Sequence, residues 1–158
     1  MGTNVFVGEY DRSVDGNGRL ALPATFRDHL GNRCYVTAHP DGYIAITTEE
    51  NFALMAELVL AEVRSGARPT SARRSVGRAS QLASIDKQSR ITLDEATRRH
   101  AGIRPGAQAI IVGALNELQV WRPSRFATVE NEHGEIEPAR VWRDEDDQGD
   151  DVQSGGSA

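Results

Sequence analysis

Short apolar runs separated by turn-forming residues occupy the start of the chain. Residues 5–7 and 20–22 have the β-branched or alternating pattern of strands, and Asp15-Gly16-Asn17-Gly18 between them is a strong turn signal. Pro23 suits the first position of a helix, and Gly31 suits its C-terminal cap. The sequence therefore predicts a strand, a tight turn, a second strand and a two-turn helix.

The following segment predicts a hairpin and a longer helix. Residues 34–37 and 43–47 have strand character and are joined by the turn-forming residues 39–42. Thr47 and Glu50 have the spacing of a capping box that opens a helix. Apolar residues then recur at helical spacing, namely Phe52, Met55, Val59 and Val63.

An internal repeat organises the whole chain. Residues 10–31 align with residues 81–102 at a constant offset of 71 positions, and 7 of these 22 positions are identical. Chance identity is roughly one position in fifteen to twenty, so the match indicates a duplication. A second block, 42–52, aligns with 116–126 at an offset of 74. The identical pairs of the first block are Ser13/Ser84, Asp15/Asp86, Arg19/Arg90, Leu22/Leu93, Arg27/Arg98, His29/His100 and Gly31/Gly102. In the second copy Asp94 replaces Pro23, and aspartate is a good N-cap for the corresponding helix.

Each copy of the repeat is too small to bury a core alone, so we expect the two copies to pair with each other. The predicted fold is mainly β with short helices (α+β), a single pseudo-symmetric barrel built from two tandem half-units. That symmetry brings the two Asp-x-x-x-Arg turns close together on one face. The predicted boundaries are repeat 1 at 5–55, a helix and basic connector at 56–79, repeat 2 at 80–129, and an acidic tail at 130–158 whose end is expected to be disordered.

Charge is distributed unevenly, although the formal net charge is only −5. Ten basic and three acidic side chains give residues 64–104 a net charge of +7. Two basic and ten acidic side chains give residues 130–158 a net charge of −8. The basic stretch either adds sequence-independent contacts to a polyanion or is a solvated linker, and the sequence leaves both open. Its arginines ahead of the second repeat are Arg64, Arg68, Arg73, Arg74 and Arg78.

Other features argue against enzymes, metalloproteins and membrane proteins. Cys34 is the only cysteine, which excludes an intramolecular disulfide and a zinc site built on thiolates. No apolar run reaches about 18 residues and the N-terminus lacks signal-peptide features, so we expect a soluble, cytoplasmic protein. His29 and His100 occupy equivalent positions without the groups that would make them catalytic. We therefore predict no catalytic site, cofactor, metal or small-molecule substrate.

The repeated Asp-x-x-x-Arg turns carry the most informative chemistry. Asp15 and Asp86 can accept backbone N–H bonds inside their turns, or hold the arginine at the turn exit, Arg19 or Arg90. One interpretation is an ion pair that stabilises a surface hairpin slightly. The other is that both arginines project toward phosphates or base edges. Duplication favours the second interpretation, because a repeated arginine matches a repeated ligand.

Sequence motifs around both turns match a known pattern. The stretches VGEY (7–10) and VDGNGRLALPATFR (14–27) form the first half of this pattern, and DKQSRITL (86–93), RRHAG (98–102) and LQVW (118–121) form the second. Together they resemble the MraZ family of bacterial transcriptional regulators. The resemblance spans residues 5–129.

This resemblance implies a SpoVT/AbrB-like swapped-hairpin barrel whose repeated loops bind double-stranded DNA. It also implies a ring-shaped homo-oligomer, associated with the nucleoid, that represses the division and cell-wall gene cluster, including its own promoter. The family's loop lysine is replaced by Asn17 in repeat 1 and by Gln88 in repeat 2, while Lys87 lies one position earlier. The expected DNA contacts are Arg19, Arg90, Asn17, Gly18, Lys87 and Gln88, and the expected loop-bracing residues are Asp15 and Asp86.

Two other classes of protein remain as alternatives. The chain could be an antitoxin-like module that binds a partner protein and, secondarily, its own promoter, although residues 130–158 are poor in the apolar side chains that a toxin-wrapping tail needs. It could also be a protein-interaction scaffold with weak or lost DNA binding. DNA affinity that is independent of Arg19 would contradict the loop mechanism, and the absence of salt-sensitive binding to any upstream DNA would support the scaffold. Phe52, Met55 and Val59 belong either to a subunit interface or to the core.

Overall fold

The element order reproduces the sequence repeat. The computed structural model describes residues 5–132, so the predicted disordered end of the acidic tail lies outside it. The order ββαββα occurs twice, and one additional helix, α3, separates the two copies. The elements are β1 (Glu9–Ser13), β2 (Arg19–Ala21), α1 (Ala24–Leu30), β3 (Arg33–Ala38), β4 (Ile44–Thr47), α2 (Glu49–Ser65), α3 (Ser71–Ala79), β5 (Ser80–Ser84), β6 (Arg90–Thr92), α4 (Glu95–Ala101), β7 (Gln108–Gly113), β8 (Leu118–Trp121) and α5 (Pro123–Glu132).

Strand pairing exchanges elements between the two copies. A six-stranded antiparallel sheet has the order β1-β7-β8-β4-β3-β5, and β2 pairs with β6 in a separate two-stranded sheet. The first strand of each copy therefore pairs with the hairpin of the other copy, β1 with β7 and β5 with β3. When every strand is replaced by its counterpart in the other copy, the same order is obtained from the opposite edge of the sheet, which is a pseudo-two-fold arrangement. The expected α+β class, mainly antiparallel sheet with short helices, is confirmed.

One hydrophobic core draws on both copies. Leu20 and Ile91 face each other across β2 and β6, and both are almost completely buried. Burying a side chain of this size contributes about 1.5–3 kcal/mol. Cys34 is fully buried in the same cluster, and burial raises the pKa of its thiol to about 12. It therefore packs as a small apolar residue and has no reactive thiolate at neutral pH.

The first predicted strand is wrong. Residues 5–7 form no strand, because Phe6 alone makes a bridge, to Leu115, through two backbone hydrogen bonds of 2.8 and 2.9 Å. The strand is β1, Glu9–Ser13, whose polar sequence EYDRS contains no alternating apolar residues. Its position depends on its partner β7, which lies far away in the sequence.

Helix boundaries differ by one residue from two predictions. Thr48, not Thr47, caps α2, and its hydroxyl oxygen accepts a hydrogen bond of 2.9 Å from the Asn51 N–H. Pro23 occupies the N-cap of α1 rather than its first helical position. The predicted cap of α4 is confirmed, since Asp94 accepts a hydrogen bond of 2.8 Å from the Thr97 N–H.

The rest of the described chain adds two facts. Its residues fall into two compact units that divide between Pro123 and Ser124, and the described part of the second unit belongs to α5. Within residues 5–132, no helix is both long enough and apolar enough to cross a membrane.

Candidate nucleic-acid interface

The first Asp-x-x-x-Arg turn is held by one carboxylate. Asp15 Oδ1 accepts hydrogen bonds from the backbone N–H groups of Asn17 and Arg19 at 2.8 and 2.9 Å. Asp15 Oδ2 accepts a third hydrogen bond, 3.0 Å long, from Arg19 Nε. Two backbone hydrogen bonds close the turn, from Gly18 N to Asp15 O and from Asp15 N to Arg19 O. One side chain therefore fixes both the turn and the arginine that leaves it.

The second turn has the same geometry. Asp86 Oδ1 accepts from the N–H groups of Gln88 and Arg90, both at 2.9 Å, and Asp86 Oδ2 accepts from Arg90 Nε at 3.0 Å. The closing backbone hydrogen bonds recur, from Ser89 N to Asp86 O and from Asp86 N to Arg90 O. The same three hydrogen bonds to an aspartate carboxylate therefore occur in both turns.

These hydrogen bonds keep both carboxylates charged. The backbone N–H of Arg19 is the main cause that lowers the pKa of Asp15, and the N–H of Arg90 has the same effect on the pKa of Asp86. A hydrogen bond donated to the charged form favours that form. Both aspartates are therefore ionised, and able to hold their arginines, throughout the neutral range.

The strands β2 and β6 form an antiparallel ribbon that brings the two turns together. Leu20 pairs with Ile91 at its centre, flanked by the pairs Arg19 with Thr92 and Ala21 with Arg90. Side chains alternate between the two faces of a strand, so the buried Leu20 and Ile91 face inward and both arginines face outward. Diagonal neighbours of this kind lie about 7–8 Å apart. The ribbon therefore presents two arginines on one outer face.

Both arginine head groups reach the surface. The side chain of Arg19 is 34% exposed and that of Arg90 is 27% exposed. Only the Nε atom of each is held by its aspartate, and no other residue between 5 and 132 takes a side-chain hydrogen bond from either guanidinium. The terminal nitrogens of both guanidinium groups therefore remain available to donate to a ligand.

The predicted contact residues at the turn tips divide into two groups. Asn17, Lys87 and Gln88 are exposed, whereas Gly18 is buried. Gly18 has a φ of 79°, and a Cβ atom there would lie 3.0 Å from the carbonyl oxygen of Leu93. Its role in the structure is to allow the turn and this close approach. Ser89 occupies the equivalent position with a φ of 63°.

Sequence reasoning missed two further arginines. Arg27 of α1 donates from Nη1 to the carbonyl oxygen of Asp86 at 2.6 Å, so helix α1 of the first copy holds the turn of the second. Arg98 of α4 donates from Nε to the carbonyl oxygen of Leu93 at 2.9 Å, directly beside Gly18. The available signal was the identity of these two positions in the repeat.

Two of the residues considered for either a subunit interface or the core make contacts within the chain. Phe52 stacks on Tyr35 with ring centroids 3.9 Å apart, and Val59 is buried. The apolar side chains that α2 leaves exposed are Leu54, Leu58 and Leu60. Among residues 5–132, no group of three or more His, Cys, Asp or Glu side chains could hold a metal ion.

Comparison with known proteins identifies the family. No protein-family model matches the chain. The chain is 31% identical over 128 residues to the transcriptional regulator MraZ of Corynebacterium efficiens, covering 81% of this chain and 88% of that protein. For the MraZ regulator of Rhodococcus opacus the identity is 32% over 124 residues, covering 78% and 85%. For that of Nocardia farcinica it is 30% over 131 residues, covering 83% and 90%. The chain belongs to the MraZ family of transcriptional regulators.

Proposed function

We propose that this regulator binds DNA sequence-specifically through the β2–β6 ribbon. The observation that carries the proposal is the pair of outward-facing arginines, Arg19 and Arg90, each held at Nε by its own aspartate. A two-stranded ribbon fits the major groove of B-form DNA, and the terminal nitrogens of arginine pair with O6 and N7 of guanine. The bracing aspartates orient each head group before DNA arrives, which reduces the entropy lost on binding.

The exposed turn tips supply the remaining contacts. Lys87 suits a phosphate as a point charge, and Asn17 and Gln88 suit either a phosphate or the edge of an adenine. Gly18 contributes by shaping the turn. In this arrangement the arginines select bases, while the tips set the register of the protein on the duplex.

The small DNA-binding surface of one chain supports a proposal that the protein acts as an oligomer. Two arginines per chain give a limited footprint, so useful affinity requires several subunits on repeated operator sites. We therefore propose a homo-oligomeric ring in which the ribbon completes a SpoVT/AbrB-like barrel with the six-stranded sheet. We assign it the role of a cytoplasmic, nucleoid-associated repressor of the division and cell-wall gene cluster, including its own promoter. We also propose that the two repeats extend over residues 5–55 and 80–129.

A mobility-shift series on the DNA upstream of the gene tests the base-reading role. Arg19→Ala and Arg90→Ala should each weaken binding by about 1–3 kcal/mol, roughly 5- to 150-fold, because each loses a guanine contact. Arg12→Ala is the control, since its guanidinium lies over the ring of Tyr10 on strand β1. Unchanged binding by the double variant at positions 19 and 90 would refute the proposal.

A protein-interaction scaffold is the second candidate. The exposed leucines of α2, Leu54 and Leu58, favour it because they are about 60% and 59% exposed on one helix face. A scaffold without DNA binding would assemble normally and show no salt-sensitive affinity for any duplex. Light scattering combined with the mobility-shift series separates the two candidates.

A further inference from the structure

Helix α3 is the element that breaks the symmetry of the described chain. It lies between the two ββαββα copies and has no counterpart ahead of β1 within residues 5–132. The sequence predicted a basic connector here, and the structure forms a helix over most of it, Ser71–Ala79. It runs directly into β5, the strand that leads to the second Asp-x-x-x-Arg turn.

The two faces of α3 differ in character. Ala72 is buried and Val76 is half-buried, and Val76 lines a cavity with residues of α2. Three arginines are exposed around the rest of the helix, Arg73, Arg74 and Arg78. The helix contains no acidic residue, so its outer surface has a formal charge of +3.

Two of these three arginines are available to a ligand. Arg74 and Arg78 are four residues apart, on the same side of the helix, and neither makes an ion pair or side-chain hydrogen bond within the described chain. Two other arginines of the basic stretch 64–104 are engaged instead: Arg68 pairs with Glu62 at 3.5 Å, and Arg99 pairs with Glu95 at 2.8 Å. A pair of like charges without a counterion favours an anionic partner.

The position of Arg78 connects α3 to the proposed DNA surface. Arg78 lines a surface depression together with Asp94 and Thr97 at the start of α4. Asp94 follows Arg90 by four residues, which is at most about 14 Å of extended chain. The Asp94 carboxylate is already engaged, by the Thr97 N–H at 2.8 Å and by Gln81 Nε2 at 3.1 Å. One duplex can therefore reach both the ribbon and α3.

We propose that α3 is a second DNA-binding surface, which holds the phosphate backbone through Arg74 and Arg78 without reading sequence. The inference rests on the proposed function, because the ribbon must place the duplex. It makes the DNA footprint of each subunit asymmetric: the side of the second turn has a backbone clamp, and the described part of the first turn's side has none. Such contacts raise affinity for all DNA equally and make it depend strongly on salt.

The test compares two double variants with the same change in net charge. Arg74→Gln/Arg78→Gln removes the proposed clamp. The control, Arg12→Gln/Arg122→Gln, removes one arginine from β1 and one exposed arginine that directly follows β8. Affinity is measured against salt for the upstream DNA and for a scrambled duplex of the same length. The clamp variant should lower the slope of log affinity against log salt by about 0.9 per lost phosphate contact. Affinity for both duplexes should fall by the same factor, roughly eightfold per contact at about 0.1 M salt.

The outcomes separate this inference from the function on which it rests. A salt slope unchanged from wild type, with the preference for upstream DNA intact, overturns the role of α3 and leaves the ribbon standing. A normal slope with a smaller oligomer by light scattering also overturns it and assigns α3 to a protein partner. A lower slope, together with sequence preference that survives in Arg19→Ala/Arg90→Ala, supports α3 and refutes base reading by the ribbon.

Discussion

The two Asp-x-x-x-Arg turns have different tips and the same framework. The first reads Asp-Gly-Asn-Gly-Arg and the second Asp-Lys-Gln-Ser-Arg, so only the terminal aspartate and arginine are shared. The three hydrogen bonds to the carboxylate nevertheless agree within 0.1 Å between the turns. The geometry is therefore carried by the ends of each turn, and the tips can vary with the ligand.

The two turns should respond differently to mutation at their fourth position, which is Gly18 in the first turn and Ser89 in the second. Gly18→Ala should destabilise the protein by about 2–3 kcal/mol, because a Cβ atom there meets the Leu93 carbonyl oxygen at 3.0 Å in left-handed backbone. Ser89 already tolerates this backbone, so Ser89→Gly should change stability by less than about 1 kcal/mol. Urea unfolding measures both changes.

A matched glycine separates the backbone cost from the clash. Gly66 also has a positive φ, 85°, but a Cβ atom there meets nothing within 4 Å. Gly66→Ala should therefore cost about 1 kcal/mol, clearly less than Gly18→Ala. Equal losses for the two variants would show that the contact with Leu93 does not constrain the turn.

The carboxylate of each turn offers a smaller effect that tests orientation of the arginine. In Asp15→Asn and Asp86→Asn, the amide oxygen can still accept the two backbone N–H bonds, but the amide nitrogen cannot accept from Arg19 or Arg90 Nε. The turn should survive and the arginine should lose its fixed orientation. We expect each variant to weaken binding to the upstream DNA by roughly three- to tenfold.

The symmetric framework predicts that the two asparagine variants lose similar affinity. Mobility-shift titration measures the loss, and circular dichroism confirms that both variants are folded. A loss confined to one variant would mean that only that turn reads bases. Retained affinity in both would mean that the ion pair serves the turn alone.

Local chemistry explains which parts of this site could be predicted from sequence. The turn at residues 15–18 and the Asp94 cap depend on residues a few positions apart, and the structure has both as expected. The exchange of strands between copies depends on pairing across most of the chain, and no short pattern encodes it. The contact of Arg27 with the Asp86 carbonyl spans 59 residues and was missed for the same reason.

Helix α3 and strand β1 have weak local signals in the sequence. Three arginines and a glycine give α3 a weak helical pattern in the sequence. The helix is stabilised by packing of Ala72 and Val76 on neighbouring elements. Strand β1 has no apolar alternation because its side chains alternate between exposed and half-buried rather than exposed and buried. Tertiary contacts decide both elements, so a pattern read along the chain could not locate them.

The smallest expected effect is a loss of folding stability in acid. The direction of this effect follows from the lowered pKa of Asp15 and Asp86. Each folded pKa lies below the ordinary aspartate value of 3.8, since backbone N–H groups stabilise the charged form. The stabilisation is therefore complete above about pH 4 and is lost only as the pH falls through the folded pKa. Urea unfolding of wild type and of Asp15→Asn/Asp86→Asn should show a constant difference in free energy from about pH 7 to pH 5. The difference should shrink below pH 3.8. A difference that stays constant as the pH falls below 3.8 would mean that folding does not lower the pKa of these carboxylates and that they do not hold the turns as described.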